Sequence, residues 1–259
     1  MRAFDAIAAL VARDLTAFRR SRSQFYSSVL FPLMLLAVLG AGVSDGLDPR
    51  NIDDYATFLT PGIVVMTALF SSTFTGASFY QDRDSGMLNV LYASPHSPRV
   101  ILLGKMLSAM IIGVGQALLV LLVAAFIPAI NFEWQYGVIA GVLLAVLGVV
   151  LLNLLLSGLG QVFAARIRTI QGFHLVMNLV LFPFLFFSGA FFPLEGLPIW
   201  LEALGIANPL SYAVDMLQLA LYAEDGSRHF GLAVDFAVLA LLAAALVAAG
   251  AGRRIEPDS

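Results

Sequence analysis

The residues of this chain that could do chemistry are few and far apart. His96, His174 and His229 stand with no carboxylate or second histidine at metal-ligand spacing. No cysteine is present to supply a thiolate, a soft metal ligand or a disulfide. Gly104-Lys105 has the closing pair of a phosphate-binding loop, but Arg99 stands where the first glycine belongs and Met106 where Ser or Thr should follow. One nucleophilic arrangement needs weighing, because Gly76-Ala77-Ser78 and His174 both lie near the basic ends of apolar stretches. An intramembrane serine protease would use such a pair, whereas the competing reading takes Gly, Ala and Ser as ordinary contact residues between membrane helices. The chain is therefore expected to carry no catalytic centre, cofactor site or metal site of its own.

The elements that must position these residues are apolar. At 60% hydrophobic and 12% charged residues, the chain departs from the roughly 45–50% and 25% of soluble domains. Six long apolar stretches, residues 25–43, 58–79, 100–126, 138–163, 173–192 and 232–251, each suit the roughly 20 residues that a spanning helix needs. The expected fold is an all-α integral membrane protein forming one domain over 1–259. The first stretch reads as a span, not a cleaved leader, since Gly40-Ala41-Gly42 only loosely resembles a cleavage site. No internal repeat suggests an inverted-repeat carrier.

Charge gives the spans a direction. Of 14 Lys and Arg residues, all but Arg50 and Arg228 lie before span one, around the gaps after spans two and four, or after span six. The other gaps hold Asp45, Asp48, Asp53, Asp54, Glu133, Glu195, Glu202, Asp215, Glu224 and Asp225. Basic short loops stay inside, so both termini are expected in the cytoplasm; the expected location is the cytoplasmic (inner) membrane of a prokaryote. The spans lack an ionisable residue near their centres: Lys105 is close enough to the inner boundary to snorkel, and Asp235 sits near the outer end of span six. Ion-coupled transport is thereby disfavoured, and uphill movement would draw its energy from another chain.

The segments between spans are unequal. Residues 1–22 carry Phe4, Ile7, Val11, Leu15 and Phe18 at helical spacing, the pattern of an amphipathic helix on the membrane surface. In the gap 81–99, residues 87–93 allow about two helical turns before Pro95 and Pro98. This short helix either places Leu88, Leu91 and Tyr92 in a partner's groove or rests on lipid headgroups. The outer segment 193–231 is too apolar for a solvated loop and reads as two re-entrant or interfacial helices. The second starts with Asn208 as cap and Pro209 in the first turn. Its Ser211, Asp215 and Gln218 share one face, which lines an exit or meets a subunit on one reading and faces external water on the other.

Uncharged polar groups lie within the spans. Asn153, Ser157 and Gln161 form a stripe on span four, and Thr67, Ser71, Thr75 and Ser78 one on span two. Such stripes are expected to hydrogen-bond between helices, with pathway lining by Asn153, Ser157 and Phe184 as the functional alternative. Pro183 is expected to kink the aromatic fifth span.

The order of these features, with Asp84-Ser85-Gly86-Met87-Leu88 through Ser94-Pro95 and Gly104, then Ser188-Gly189-Ala190-Phe191-Phe192-Pro193 with Pro198, then Asn208-Pro209-Leu210-Ser211-Tyr212-Ala213-Val214-Asp215, resembles the permease subunit of type-2 ATP-binding-cassette exporters of the daunorubicin-resistance and nodulation type. The resemblance covers nearly the whole chain. It implies a partnership of two permease copies, as a homodimer, with two separate ATPase subunits that bind ATP and Mg. By the same resemblance Asp84, Gly86, Leu88, Leu91 and Pro95 belong to the segment that couples to the ATPase. Pro193, Asn208, Pro209, Tyr212 and Asp215 belong to the outer gate. Asn89 departs from a commonly acidic position and Gln218 from a commonly basic one. A hydrophobic drug-like or lipid-like cargo is expected from the apolar spans, with a lipid-linked polysaccharide as alternative and a non-transporting membrane scaffold as the reading from a different class. Membrane lipid is a further expected partner, and nucleic acid is not.

Overall fold

The computed structural model describes residues 3–44, 55–94, 96–128, 130–134, 136–194, 197–221 and 230–251. Among them are ten helices: α1 (Ala3–Arg20), α2 (Arg22–Ser44), α3 (Tyr55–Asp84), α4 (Met87–Tyr92), α5 (Pro98–Ala124), α6 (Val138–Ala164), α7 (Ile170–Phe186), α8 (Ile199–Ala207), α9 (Pro209–Leu221) and α10 (Leu232–Ala251). Helices α2, α3, α5, α6 and α10 are each long and apolar enough to cross a bilayer. The shorter α7 adds 17 apolar residues, about 26 Å at 1.5 Å per residue. The chain is an all-α integral membrane protein.

Helix α3 is the hub, packing against α2, α5, α6, α7 and α9. Its residues 56–73 are buried except Phe70. The periphery is apolar instead: Leu175 and Leu179 on α7 and Leu241 on α10 are each about 70% exposed, as lipid-facing side chains should be. Lipid tails are as apolar as leucine, so helices here associate through close packing and hydrogen bonds rather than through water exclusion. Small residues supply the approach. A Cβ on Gly158 of α6 would lie 2.9 Å from the Leu246 Cβ and 3.0 Å from the α10 backbone.

The polar stripes behave differently from expectation. Thr67 and Thr75 donate to the carbonyls of Ile63 and Ser71, one turn back on their own helix. Asn153 and Ser157 likewise bond back, to Val149 and Leu154. A hydroxyl or amide in a helix can always reach the preceding turn, and in a dry bundle that local partner costs no search. Bonds between helices come from residues beside the stripes: Ser72 Oγ donates to the Leu156 carbonyl at 3.1 Å, and Gln116 Nε2 to Ser28 Oγ.

Two boundaries also shift. Helix α7 ends at Phe186 and not at residue 192, with Pro183 in its last turn, so the expected kink becomes a helix end. The turn that follows, with Gly189 at φ +80°, packs onto α3, where a Cβ on Gly62 would stand 2.5 Å from the Ala190 carbonyl oxygen. At the other end α3 continues to Asp84, which puts Asp82 on a helix.

Candidate functional site

At the basic end of the bundle, α1 lies across α5. Gly104 permits this, since a Cβ there would meet Leu10 Cδ1 at 2.9 Å. The close approach brings four charges together. Arg13 Nη2 binds Asp14 Oδ1 and Asp82 Oδ2, each at 2.6 Å. Lys105 Nζ contacts the same Asp82 oxygen and lies 3.4 Å from Asp14 Oδ2. Three elements, α1, α3 and α5, are thus joined by a ring of alternating sign.

Lys105 is only 4% exposed. It therefore corrects the snorkelling expectation: its ammonium turns inward to two carboxylates instead of outward to water. The reason is tertiary, because a buried cation must be paired to remain charged, and α1 and α3 bring both partners. Burial by itself would lower the Arg13 pKa, but hydrogen bonds to Asp14 and Asp82 outweigh it and hold the guanidinium above its ordinary value. The same end is tied further by Tyr80, whose hydroxyl donates to the Ile167 carbonyl at 3.0 Å, and by Arg83, which donates to the Arg168 carbonyl.

A cavity of about 300 Å³ opens beside the ring, walled by Arg13, Asp14, Asp82 and Lys105 together with Ser78, Ser108 and the apolar Phe18, Phe74 and Ile112. Ser78 faces this cavity, whereas His174 is not among its walls and packs edge-on to Phe74 and Phe173. Gly76 of the Gly-x-Ser sequence makes room for the Phe173 ring, 2.5 Å from a Cβ placed there. The protease alternative thus has no nucleophile–base pair in one cavity. Among the described residues no three His, Asp or Glu side chains gather as a metal site.

Helix α4 follows directly. Gly86 adopts φ +73°, a left-handed conformation that suits glycine, and so reverses the chain between α3 and α4. Leu88 is 4% exposed and joins the core, with Tyr92 packed partly behind it. Burial raises the Tyr92 phenol above its ordinary pKa. Leu91 is half-buried, Asp84 is exposed, and Pro95 lies outside the described residues. The free side of α4 is Met87, Asn89 and Val90, with Val90 65% exposed. A two-turn helix has only two sides, and the core takes the one carrying Leu88.

At the opposite end, α8 and α9 form the two expected short helices. Asn208 caps α9, accepting from the Leu210 N–H at 3.0 Å, while its Nδ2 donates to the Phe184 carbonyl at 2.5 Å. Pro209 opens α9 as expected. Tyr212 donates to the Ile206 carbonyl and stacks on Phe230 with centroids 4.3 Å apart. Pro193 is half-buried in the turn after α7, next to Leu194, which seats against Gly189 and Gly205. The face of Ser211, Asp215 and Gln218 is buried, which overturns its reading as a surface for external water. Asp215 Oδ2 accepts from the Phe230 N–H at 3.0 Å, and Asp235 of α10, fully buried, faces Asp215. Of the pathway candidates, Asn153 and Ser157 are buried within the bundle, Asn153 against Gly113, and Phe184 is partly exposed on α7.

Nearly all of the helix pinned across the bundle, the short helix after the second span and the two short helices before the last fall within residues 5–222, which match the family model described as ABC-2 type transporter. The chain belongs to the ABC-2 type transporter family. Its relatives in that family carry transport names. It is 30% identical over 216 residues to "Putative transport permease ycf38" of Pyropia yezoensis, covering 81% of this chain and 71% of that one. It is 29% identical over 175 residues to "Probable multidrug ABC transporter permease YbhR" of Escherichia coli (strain K12), covering 67% of this chain and 46% of the relative. Against the daunorubicin resistance ABC transporter permease protein DrrB1 of Streptomyces coeruleorubidus, identity is 24% over 223 residues, with 85% and 76% covered. The ABC-2 resemblance read from the three sequence motifs is thus met by the family match. Sequence reading missed the ring of Arg13, Asp14, Asp82 and Lys105. Its one available signal was a lysine six residues into an apolar run, which calls for a carboxylate partner.

Proposed function

We propose that the chain is the membrane-spanning subunit of an ATP-driven exporter that moves a hydrophobic drug-like or lipid-like molecule out across the cytoplasmic membrane of a prokaryote. Two copies pair as a homodimer, each served by a separate ATPase subunit that binds ATP and Mg. Both termini and α4 face the cytoplasm, in keeping with the segregation of Lys and Arg. The observation that carries this reading is the ring of Arg13, Asp14, Asp82 and Lys105, whose Asp82 lies four residues before Gly86 at the α3–α4 reversal and which ties α1 to α3 and α5. A push on α4 or α1 from an ATPase therefore reaches three helices at once. ATP shifts the equilibrium only by binding the partner's states with different affinity, and the ring transmits that difference. Asp84, Gly86, Leu91 and Pro95 serve the contact, to which the exposed Met87 and Val90 add an apolar surface, while Leu88 anchors α4 from behind. Asn208, Pro209, Tyr212, Asp215 and Pro193 hold the outer gate.

The test is whether an ATP-binding-cassette ATPase of the same organism co-purifies with the chain, followed by ATPase turnover with hydrophobic drugs and lipids in vesicles. The expected result is a stable complex whose turnover responds to cargo and loses that response in Asp82→Asn. Absence of a complex, or turnover indifferent to every cargo, sinks the exporter reading in favour of a non-transporting scaffold.

A further inference from the structure

The cavity at the basic end has a charge composition that coupling does not require. Both cations of the ring converge on one atom, Asp82 Oδ2, and both reach Asp14. A simple anion entering here would draw Arg13 or Lys105 away and leave a buried carboxylate without its cation. A simple cation would strand Arg13 or Lys105 in the same way, and a buried charge without a partner is costly. A molecule that brings a phosphate and an ammonium together exchanges with the ring and strands nothing. A second small cavity shares Thr75, Ser78, Lys105 and Ala109 with the first and extends to Ser157 and Gln161 on α6. Gln161 is 8% exposed, and its Oε1 is buried with no donor among the described residues. That atom is an acceptor held ready for an N–H.

Size and position narrow the ligand further. About 300 Å³ is at the lower end of small-molecule pockets, enough for a polar head and too little for acyl chains as well. The walls also include Phe18, Phe74 and Ile112, and the rim is formed by α1, an amphipathic helix of the kind that lies at headgroup depth. We propose that this cavity binds the head of a zwitterionic phospholipid carrying a primary ammonium. The phosphate lies on Arg13 and Lys105, the ammonium lies toward Asp14, Asp82 and Gln161, and the chains remain in the bilayer. The site stands apart from the exporter reading, because it concerns binding alone and needs neither ATPase nor transport.

The experiment titrates the purified full chain in detergent with short-chain phosphatidylethanolamine, with phosphatidylglycerol of the same chains and with free phosphoethanolamine. Phosphatidylethanolamine should bind at least about tenfold more tightly than either of the others, a difference well resolved by calorimetry. Lys105→Gln should weaken that binding. Because it also disturbs the ring, the deciding variant is Ala109→Leu, which leaves all four charges in place and fills the shared wall of the two cavities. It should weaken binding by about tenfold or more with the thermal transition unchanged. Equal affinity for phosphatidylglycerol, or full binding by Ala109→Leu, overturns the site. Free phosphoethanolamine binding as tightly as the lipid overturns the membrane as its source.

Discussion

The two ends of this bundle are held by opposite means. At the basic end, four charges of alternating sign bridge α1, α3 and α5 beside an open cavity. At the other end, α9 is buried along almost its whole length, its neighbours are fixed by side-chain bonds to carbonyls such as those of Phe184 and Ile206, and Asp215 of α9 faces the buried Asp235 of α10. Directional ion pairs beside open space can exchange partners without unpacking a core. Close-packed helices capped on carbonyls move only as a unit. On the proposed reading, the basic end suits a relay that rearranges, and the opposite end a gate that moves as a block.

The largest effect should come from breaking the ring. Lys105→Ala leaves Asp14 and Asp82 to Arg13 alone, and loss of one partner of a buried pair costs about 3–5 kcal/mol. Thermal unfolding in detergent should show that loss together with collapse of cargo-stimulated ATPase turnover. Next in size is Gly62→Leu at the opposite end, where even a Cβ stands 2.5 Å from the Ala190 carbonyl oxygen. Overpacking of this kind costs about 1–3 kcal/mol, and expression with thermal melting would reveal it while ATPase association persists. Asn208→Ala removes a cap and the bond to Phe184, about 1 kcal/mol for the cap and a similar amount for the bond. A melting shift with retained ATPase binding is the expected outcome.

Three further changes sharpen the contrast. Asp82→Asn should destabilise, because Lys105 and Arg13 lose a charge they share, whereas Asp235→Asn should be neutral or stabilise by about 1 kcal/mol, since an amide can donate to the facing carboxylate. Equal losses for the two in parallel melts would erase the proposed difference between the ends. Val90→Asp should leave stability within about 0.5 kcal/mol, as surface changes usually do, because Val90 is 65% exposed. Pull-down of the ATPase should nevertheless fail. A variant that binds normally would move the contact away from the free side of α4.

Much of the architecture was legible in the chain. Apolar length marks the spans, Asn208-Pro209 marks the start of α9, and residues 87–93 mark α4, because each depends on local covalent and solvation chemistry. Side-chain direction was less legible. Leu88 reads as a partner contact until α3 is seen behind it, and Ser211, Asp215 and Gln218 read as a solvated face until α6 and α10 enclose them. Periodicity fixes which residues share a face and says nothing of what that face meets.

The same division holds for the charges. Their segregation along the chain, the membrane class and the absence of a nucleotide-binding loop follow from residue order alone, since hydrophobic length and charge act through the solvent each segment prefers. That Lys105 turns inward to Asp14 and Asp82, that Arg13 completes the ring, and that a cavity remains beside it were decided only by tertiary structure. Apart from the adjacent Arg13 and Asp14, those partners are tens of residues apart in sequence, and a contact that depends on three helices meeting has no signature in any one of them.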